Sequence, residues 1–474
     1  MSGDLTEAEL ALVQAARVGE WADLSEAEDQ QVRGVVFRDL VLGRLGEVDP
    51  RGIWLKRAHL VGGLDLCDIE TRFPLRLLSC RTDEPVQLIR ANLSTVDLTG
   101  LVAPYVAAQE ATFEHSFTLR DARLTSVGPP ALHVGGSEIG GLLNLARARL
   151  ANTDGVALQG SNVRTGGGVF LNHRFRAEGT GDLGAVRLSG ASIGGQLNFT
   201  GARITNPDGP ALIADYLRTE SSVMLGQGFV AEGRQDTGTV RLVGARIGGR
   251  LTAEDGLARA ADHEHLALNL SQTSVVGDLL LPASFTEGRL DVNGLTYGGQ
   301  PRLATLDEWL ELLTTRTNYY ASQPYFQLAT AHAAAGHERD VRRIHIVRQK
   351  DLLRRGQLGF WGRLWHRITG LTVGYGYRPA LALVWLIGTV LTSVLVTVVA
   401  ARPTGSCSVV ERVGPALSTV TPLVKADTPA RCLVNTTTVT GQAVLVANWA
   451  LQALAWAFLT LFVAGFTGLV RRSQ

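Results

Sequence analysis

Between Gly52 and Gly299 large apolar residues recur five positions apart, a spacing that neither an α-helix nor a simple alternating strand produces. The sets are Leu55 and Leu60; Leu88, Leu93 and Leu98; Leu119 and Leu124; Leu145 and Leu150; Leu188 and Ile193; Phe199 and Ile204; Leu242 and Ile247. A four-sided β-helix needs this period, because one inward residue sits at the centre of each side and the next corner follows about two residues later. Shifting the chain on itself by 54 residues lays AVRLSGASIGG at 185–195 over TVRLVGARIGG at 239–249 and, backwards, over ALHVGGSEIGG at 131–141. Each unit of 54 divides into related halves of about 24 to 30 residues, which predicts roughly eight to ten coils.

The flanks follow other periods. Leu10, Leu12, Val13, Ala16 and Val18 behind Thr6, with Glu9 three residues on, predict a short capped helix. Ser25 and Glu28 repeat that capping spacing and predict a second helix leading into Val32 to Leu42, so that helices close the open end of the solenoid. After Gly299 helices are predicted from Thr305, from Ser322 with Pro324 in the first turn, and from Glu338 to Arg355 beyond Gly336. Phe360, Trp361, Leu364, Trp365 and Ile368 then form an apolar stripe beside Arg363, His366 and Arg367, as in a helix lying at a membrane surface.

Pro379 to Ala400 has no charge in 22 residues, enough at about 1.5 Å per residue to cross a hydrocarbon core of about 30 Å. A second span, about Ala443 to Val470, carries Asn448 and Gln452 as its strongly polar groups, both on one face. Their expected role is a hydrogen bond to Thr389, Thr392 or Ser393 of the other span; a polar lining for a transported species is the alternative.

The expected fold is therefore mainly β: a right-handed β-helix solenoid with an N-terminal helical cap, a helical adaptor and two transmembrane helices. Its parts are a cap over 1–45, the β-helix over 46–300 and the adaptor over 301–357. An interfacial helix and elbow occupy 358–378, the spans 379–400 and 441–470 flank an extracytoplasmic loop at 401–440, and 471–474 form a cytoplasmic tail.

Composition agrees with many tight corners, since the chain has 53 Gly but only 16 Pro. Net charge is +1, and residues 31–300 hold 26 Lys/Arg against 28 Asp/Glu, which gives no reason to expect a nucleic-acid partner. Nine Lys/Arg lie between Val341 and Arg378 while the stretch from Arg402 to Thr440 holds four, so both termini are expected in the cytoplasm of a two-pass cell-membrane protein. The opening MSGDLTEAEL has none of the marks of an export signal. Cys67 and Cys80 read as small buried thiols, whereas Cys407 and Cys432 flank the polar loop and form the disulfide candidate. Such a bridge would stabilise the loop by roughly 3 kcal/mol through chain entropy.

The decapeptide ANLSTVDLTG at 91–100 resembles two consecutive pentapeptide repeats, and DARL at 121–124 and GARI at 201–204 resemble degenerate ones. The whole arrangement is similar to actinobacterial membrane proteins that join such repeats to QPY at 323–325, AGH at 335–337, LTVGYGYRP at 371–379 and GFTGLVRR at 465–472. The resemblance implies membrane association, and some of those proteins carry the label membrane-associated oxidoreductase.

Candidate chemistry is sparse. GTGDLG at 179–184 fits the dinucleotide fingerprint but falls at a solenoid corner, and the same place one unit later reads GRQDTG, so a loop is expected. TVGYG at 372–376 spells a potassium-filter sequence but precedes the first span, which favours a glycine-rich elbow. His263 with His265, and His332 with His337 and His345, lack the spacing of a zinc helix and read as solvated loop and helix-surface residues. No catalytic residue, cofactor-binding residue, cofactor or metal ligand is assigned. The expected function is a membrane-anchored scaffold or interaction protein, with the lipid bilayer and a cytoplasmic protein as partners and a homo-oligomer left open. A membrane-associated oxidoreductase and a two-span sensor or membrane effector are the alternatives, so an enzymatic activity also stays open.

Overall fold

The computed structural model describes residues 5–376, 380–400, 408, 411, 413–414, 417–418, 436 and 438–472; the side chains of 373, 376 and 465–472 are not among them. The chain forms two compact units, 1–341 and 342–474.

The first unit is a parallel β-solenoid. Each coil carries four short strands that hydrogen-bond to their counterparts in the coils on either side. Two columns of strands form face A, a 20-stranded sheet joined where Ser274–Leu280 pairs with both. Face B has eleven strands and face C ten, one per coil. The expected coil number and the repeat length both follow from the register. Leu143, Val169, Leu197, Val223 and Leu251 are successive partners, so each double repeat is a shorter coil, as from 143 to 169, followed by a longer one, as from 169 to 197. Leu75, Val96 and Phe117 mark earlier coils that are shorter than either. Compared with those early coils, both coils of the double repeat extend the connection from face B to face C, as between Arg123–Ser126 and Leu132–His133 against Val102–Ala103 and Val106–Ala107.

All the five-spaced residues point inward and are buried. The structure adds a second inward position that the period did not reveal: Ala91, Val96, Leu101, Val106 and Ala111 are equally buried between Leu88, Leu93, Leu98, Ala103, Ala108 and Phe113. Each side thus fills its interior with two residues, packed as protein interiors are. Two corners of each coil pass through a left-handed residue, as at Asp121 and Gly136 or at Arg147 and Asn162; glycine, asparagine and aspartate reach this conformation at least cost.

Helix α1 (Glu7–Val18) starts at Thr6, whose hydroxyl accepts from the Glu9 amide while Glu9 accepts from the Thr6 amide. The second expected helix is corrected. Residues around Ser25 and Glu28 are not helical, and the Ser25 amide instead donates to Asp23. Strand Trp21–Asp23 pairs with Trp54–Lys56 and strand Gln31–Arg33 with His59–Val61, so helix α2 spans only Gly34–Val41. The open strand edges of the first coil demanded hydrogen-bond partners more strongly than the local capping signal demanded a helix.

At the other end, α3 (Leu306–Glu311) begins at Thr305 with a capping box to Glu308, and α4 (Gln323–Ala334) follows with Pro324 in its first turn. Gln323 and Gln327 of α4 donate to the carbonyls of Leu295 and Tyr297, which fastens this helix to the last coil. Helix α5 runs from Glu338 to Arg355.

The second unit contains α6 (Phe360–Val373), α7 (Ala380–Ala400) and α8 (Val439–Arg472). Two helical stretches are long and apolar enough to cross a membrane, Ala380–Ala400 with mean hydropathy 2.4 and Val439–Ala464 with 1.6. They pack antiparallel, since Trp385 stacks on Phe458 while Ser393 meets Asn448. The α7 side of the seam is Ala382, Thr389, Ser393 and Thr397, small residues that allow close approach of backbones. Cys407 and Cys432 lie outside the described residues.

Candidate interaction surface

The outward residues of a parallel solenoid form straight columns, because every coil repeats its neighbour in register. On face B one such column reads Arg123, Arg149, Arg176 and Arg203 in four successive coils. All four are exposed, and none of them pairs with an acid among the described residues. Val102 and Val230 bracket the run, and Arg81 stands one coil beyond Val102. Strand neighbours are about 4.8 Å apart, so the four arginines span roughly 14 Å. In the next column of the same strands stand Thr125, Ala151, Glu178 and Thr205, which leaves Glu178 as the one carboxylate beside them there.

Several other arginines of the solenoid are neutralised from coil to coil. Arg90 takes both carboxylate oxygens of Asp68 at 2.8 Å, and Arg147 both of Asp121 at 2.6 Å. Arg164 meets Glu138 at 2.9 Å, Arg241 meets Asp215, and Arg259 lies between Glu232 and Glu287. Like charges held directly opposite on neighbouring strands repel. The column on face B differs from these pairs in running through four successive coils; a shorter instance is Arg218 opposite Arg246 on face A, likewise without an ion pair among the described residues.

The sequence-level candidates fall into place around it. Residues 179–184 form the connection from strand Arg176–Glu178 to strand Val186–Arg187, with Gly181 and Gly184 at positive φ and no helix following. That is a solenoid loop, since a pyrophosphate site needs the helix N-terminus. Residues 372–376 end α6 and turn through Gly374 and Tyr375, both at positive φ, an elbow in place of an extended filter strand. Phe360, Trp361, Leu364, Trp365, Ile368 and Leu371 of α6 are exposed. Cys80 is buried and its thiol is pushed up to about 11 by burial, whereas Cys67 is only half-buried. Asn448 is buried between the apolar helices, accepting from the Ser393 hydroxyl at 3.0 Å and donating to Thr397 at 3.2 Å. Gln452 is half-buried and makes no hydrogen bond among the described residues.

Two histidine readings separate. His263 is exposed, and His265 sits between Asp262 at 2.6 Å and Asp236 at 3.4 Å on a surface loop. The other expectation is corrected, because His332 is not solvated: it is only 9% exposed in the last turn of α4. His345 does not join it; His332, His337 and Asp340 converge instead, with donor atoms within 4.8 Å of one another. The burial that turns His332 inward comes from docking α4 on the last strand of face A, a tertiary event that residue spacing does not encode. Burial lowers the His332 pKa and His337 acts the same way, while Asp340 opposes them. Two small pockets at this end, lined by Val292, Leu313 and Pro324 among others, have volumes of about 10 Å³, room for one water.

Sequence reasoning missed the arginine column although its signal was present in the Arg-Leu and Arg-Ile pairs at 123–124, 149–150 and 203–204. The first step along this column, from 123 to 149, is one residue shorter than the two that follow, from 149 to 176 and from 176 to 203, so no single shift brings all four into line. Compared with known family models, curated proteins and solved structures, the chain has no match.

Proposed function

We propose that the protein is a membrane-anchored scaffold whose β-solenoid stands on the cytoplasmic side of the cell membrane and presents the Arg123, Arg149, Arg176 and Arg203 column to an acidic protein partner. The observation that carries this reading is the registered, exposed and unpaired state of those four residues. Guanidinium groups at a fixed repeat match carboxylates presented at a similar one. A helix with an acid each turn repeats at about 5.4 Å and drifts from the arginines by only about 2 Å over three intervals, whereas alternate residues of an extended strand, at about 6.7 Å, drift by about 6 Å. An acidic helix lying along the solenoid axis is thus the favoured form. A nucleic-acid partner is disfavoured by the balanced charge of residues 31–300 and by the lack of aromatic residues in the arginine column.

The membrane side of the proposal rests on the two apolar helices and on the concentration of Lys/Arg between 341 and 378, which favours cytoplasmic termini. The exposed aromatic face of α6 suits the headgroup layer. The coils that start at Leu75 and Val96 are each close to four pentapeptides long, which supports the resemblance to actinobacterial pentapeptide-like membrane proteins.

The test uses the full chain in lipid nanodiscs and a labelled synthetic helix with one glutamate per turn, spaced alternately three and four residues apart. Binding should weaken with salt and fall by roughly tenfold or more in the Arg149→Glu, Arg176→Glu double variant. Equal binding by that variant overturns the reading. Flavin absorbance or bound nicotinamide in the purified protein would instead favour the oxidoreductase.

A further inference from the structure

We infer that His332, His337 and Asp340 form a binding site for a divalent transition ion of the zinc class, at the C-terminal end of the solenoid. The site is separate from the arginine column and does not depend on the scaffold reading. Two imidazoles and a carboxylate are the donor set such ions take, and a site with three protein ligands leaves the fourth position to water. The three donors converge from separate pieces of backbone: His332 from the last turn of α4, His337 just after Gly336, whose positive φ reverses the chain, and Asp340 from the first turn of α5. Asp340 Oδ2 is 3.3 Å from His332 Nδ1 and 4.0 Å from His337 Nδ1. Ligands around a tetrahedral zinc stand about 3.4 Å apart, so the first distance already fits. Small rotations of Asp340 and His337, which are 39% and 54% exposed at their side chains, close the second.

A second observation points the same way. His332 is nine-tenths buried, and the close neighbour of its Nδ1 is the Asp340 carboxylate at 3.3 Å, without a well-formed hydrogen bond between them. Buried polar atoms are usually well satisfied, and a cation coordinated by both groups would satisfy this one. Gln300, in the last strand of face A, holds the His337 ring through its side-chain amide at 2.9 Å from Nδ1. An ion here would tie the α4–α5 turn to itself beside the last coil, closing the end of the solenoid that lacks a further strand.

The full chain in detergent, purified with a tag free of histidine and stripped with chelator, is titrated with zinc by calorimetry and with cobalt by visible absorption. Wild type should take one ion per chain, with the intense bands of tetrahedral cobalt, and unfold at a higher temperature when loaded. His337→Gln and Asp340→Asn change exposed side chains, so they should fold as wild type does, as circular dichroism checks, yet bind roughly tenfold or more weakly. His332→Gln should abolish binding. No saturable binding by wild type, or undiminished binding by both exposed-residue variants, would overturn the site and leave a bare His332 to Asp340 ion pair.

Discussion

Asn448 accepts a hydrogen bond from Ser393 and, one turn further along α7, donates to Thr397, so the most polar buried side chain between the two apolar helices is satisfied by its neighbour helix. An amide so engaged has both its oxygen and its nitrogen turned to the partner helix and away from a passing solute. Asn448→Leu should therefore leave insertion intact and cost the helix pair only about 0.6 to 2 kcal/mol, as measured by unfolding in bicelles. A cost well above that range would mean that the amide has a role beyond pairing the helices.

The arginine column makes an unusual prediction about stability. Replacing Arg149 by Glu sets an acid between Arg123 and Arg176, so thermal stability at low salt should rise, by about 0.2 to 1 kcal/mol. Binding of the acidic helix should fall in the same variant. Opposite signs in the two measurements identify residues kept for a partner at some expense to the fold; a variant that is both less stable and fully competent to bind would contradict this.

Glu9 is fully buried, and burial pushes its carboxyl up, but the Arg33 side chain with the amides of Thr6 and Arg33 more than offsets this and holds its pKa below the ordinary 4.5. A group lowered on folding adds stability that is complete above its unfolded value and is lost as the pH falls through its folded value. Thermal melts of wild type should therefore decline below about pH 4.5. Glu9→Gln should lose about 1 to 3 kcal/mol at neutral pH and show a flatter acid limb. An acid limb identical to that of wild type would assign the loss to other carboxylates.

Coil modularity can be tested by deletion. Removing 144–197 joins Leu143 to Asn198, which keeps every column in register because Leu143 and Leu197 occupy equivalent positions two coils apart. The shortened chain should keep its β circular dichroism and melt cooperatively, since each coil contacts only its neighbours. It also removes Arg149 and Arg176 and brings Arg123 beside Arg203, so the acidic helix should bind more weakly. A molten or aggregated product would show that the coils depend on more than their immediate neighbours.

The repeat of 54 residues, the five-residue period, the helix starts at Thr6, Thr305 and Ser322 and the two apolar helices were legible in the sequence by itself, because each is a local pattern of size, polarity or capping. Three things were settled only by tertiary structure. The cap strands at 21–23 and 31–33 exist because the first coil has open edges to fill. The arginine column exists because coils of unequal length stack in register, which places residues at uneven sequence separations side by side. His332 meets His337 and Asp340 because α4 docks on the last strand and the chain turns back at Gly336. In each case the deciding contact joins separate elements, where hydrogen-bond demand, register and burial act between segments that the residue pattern describes only one at a time.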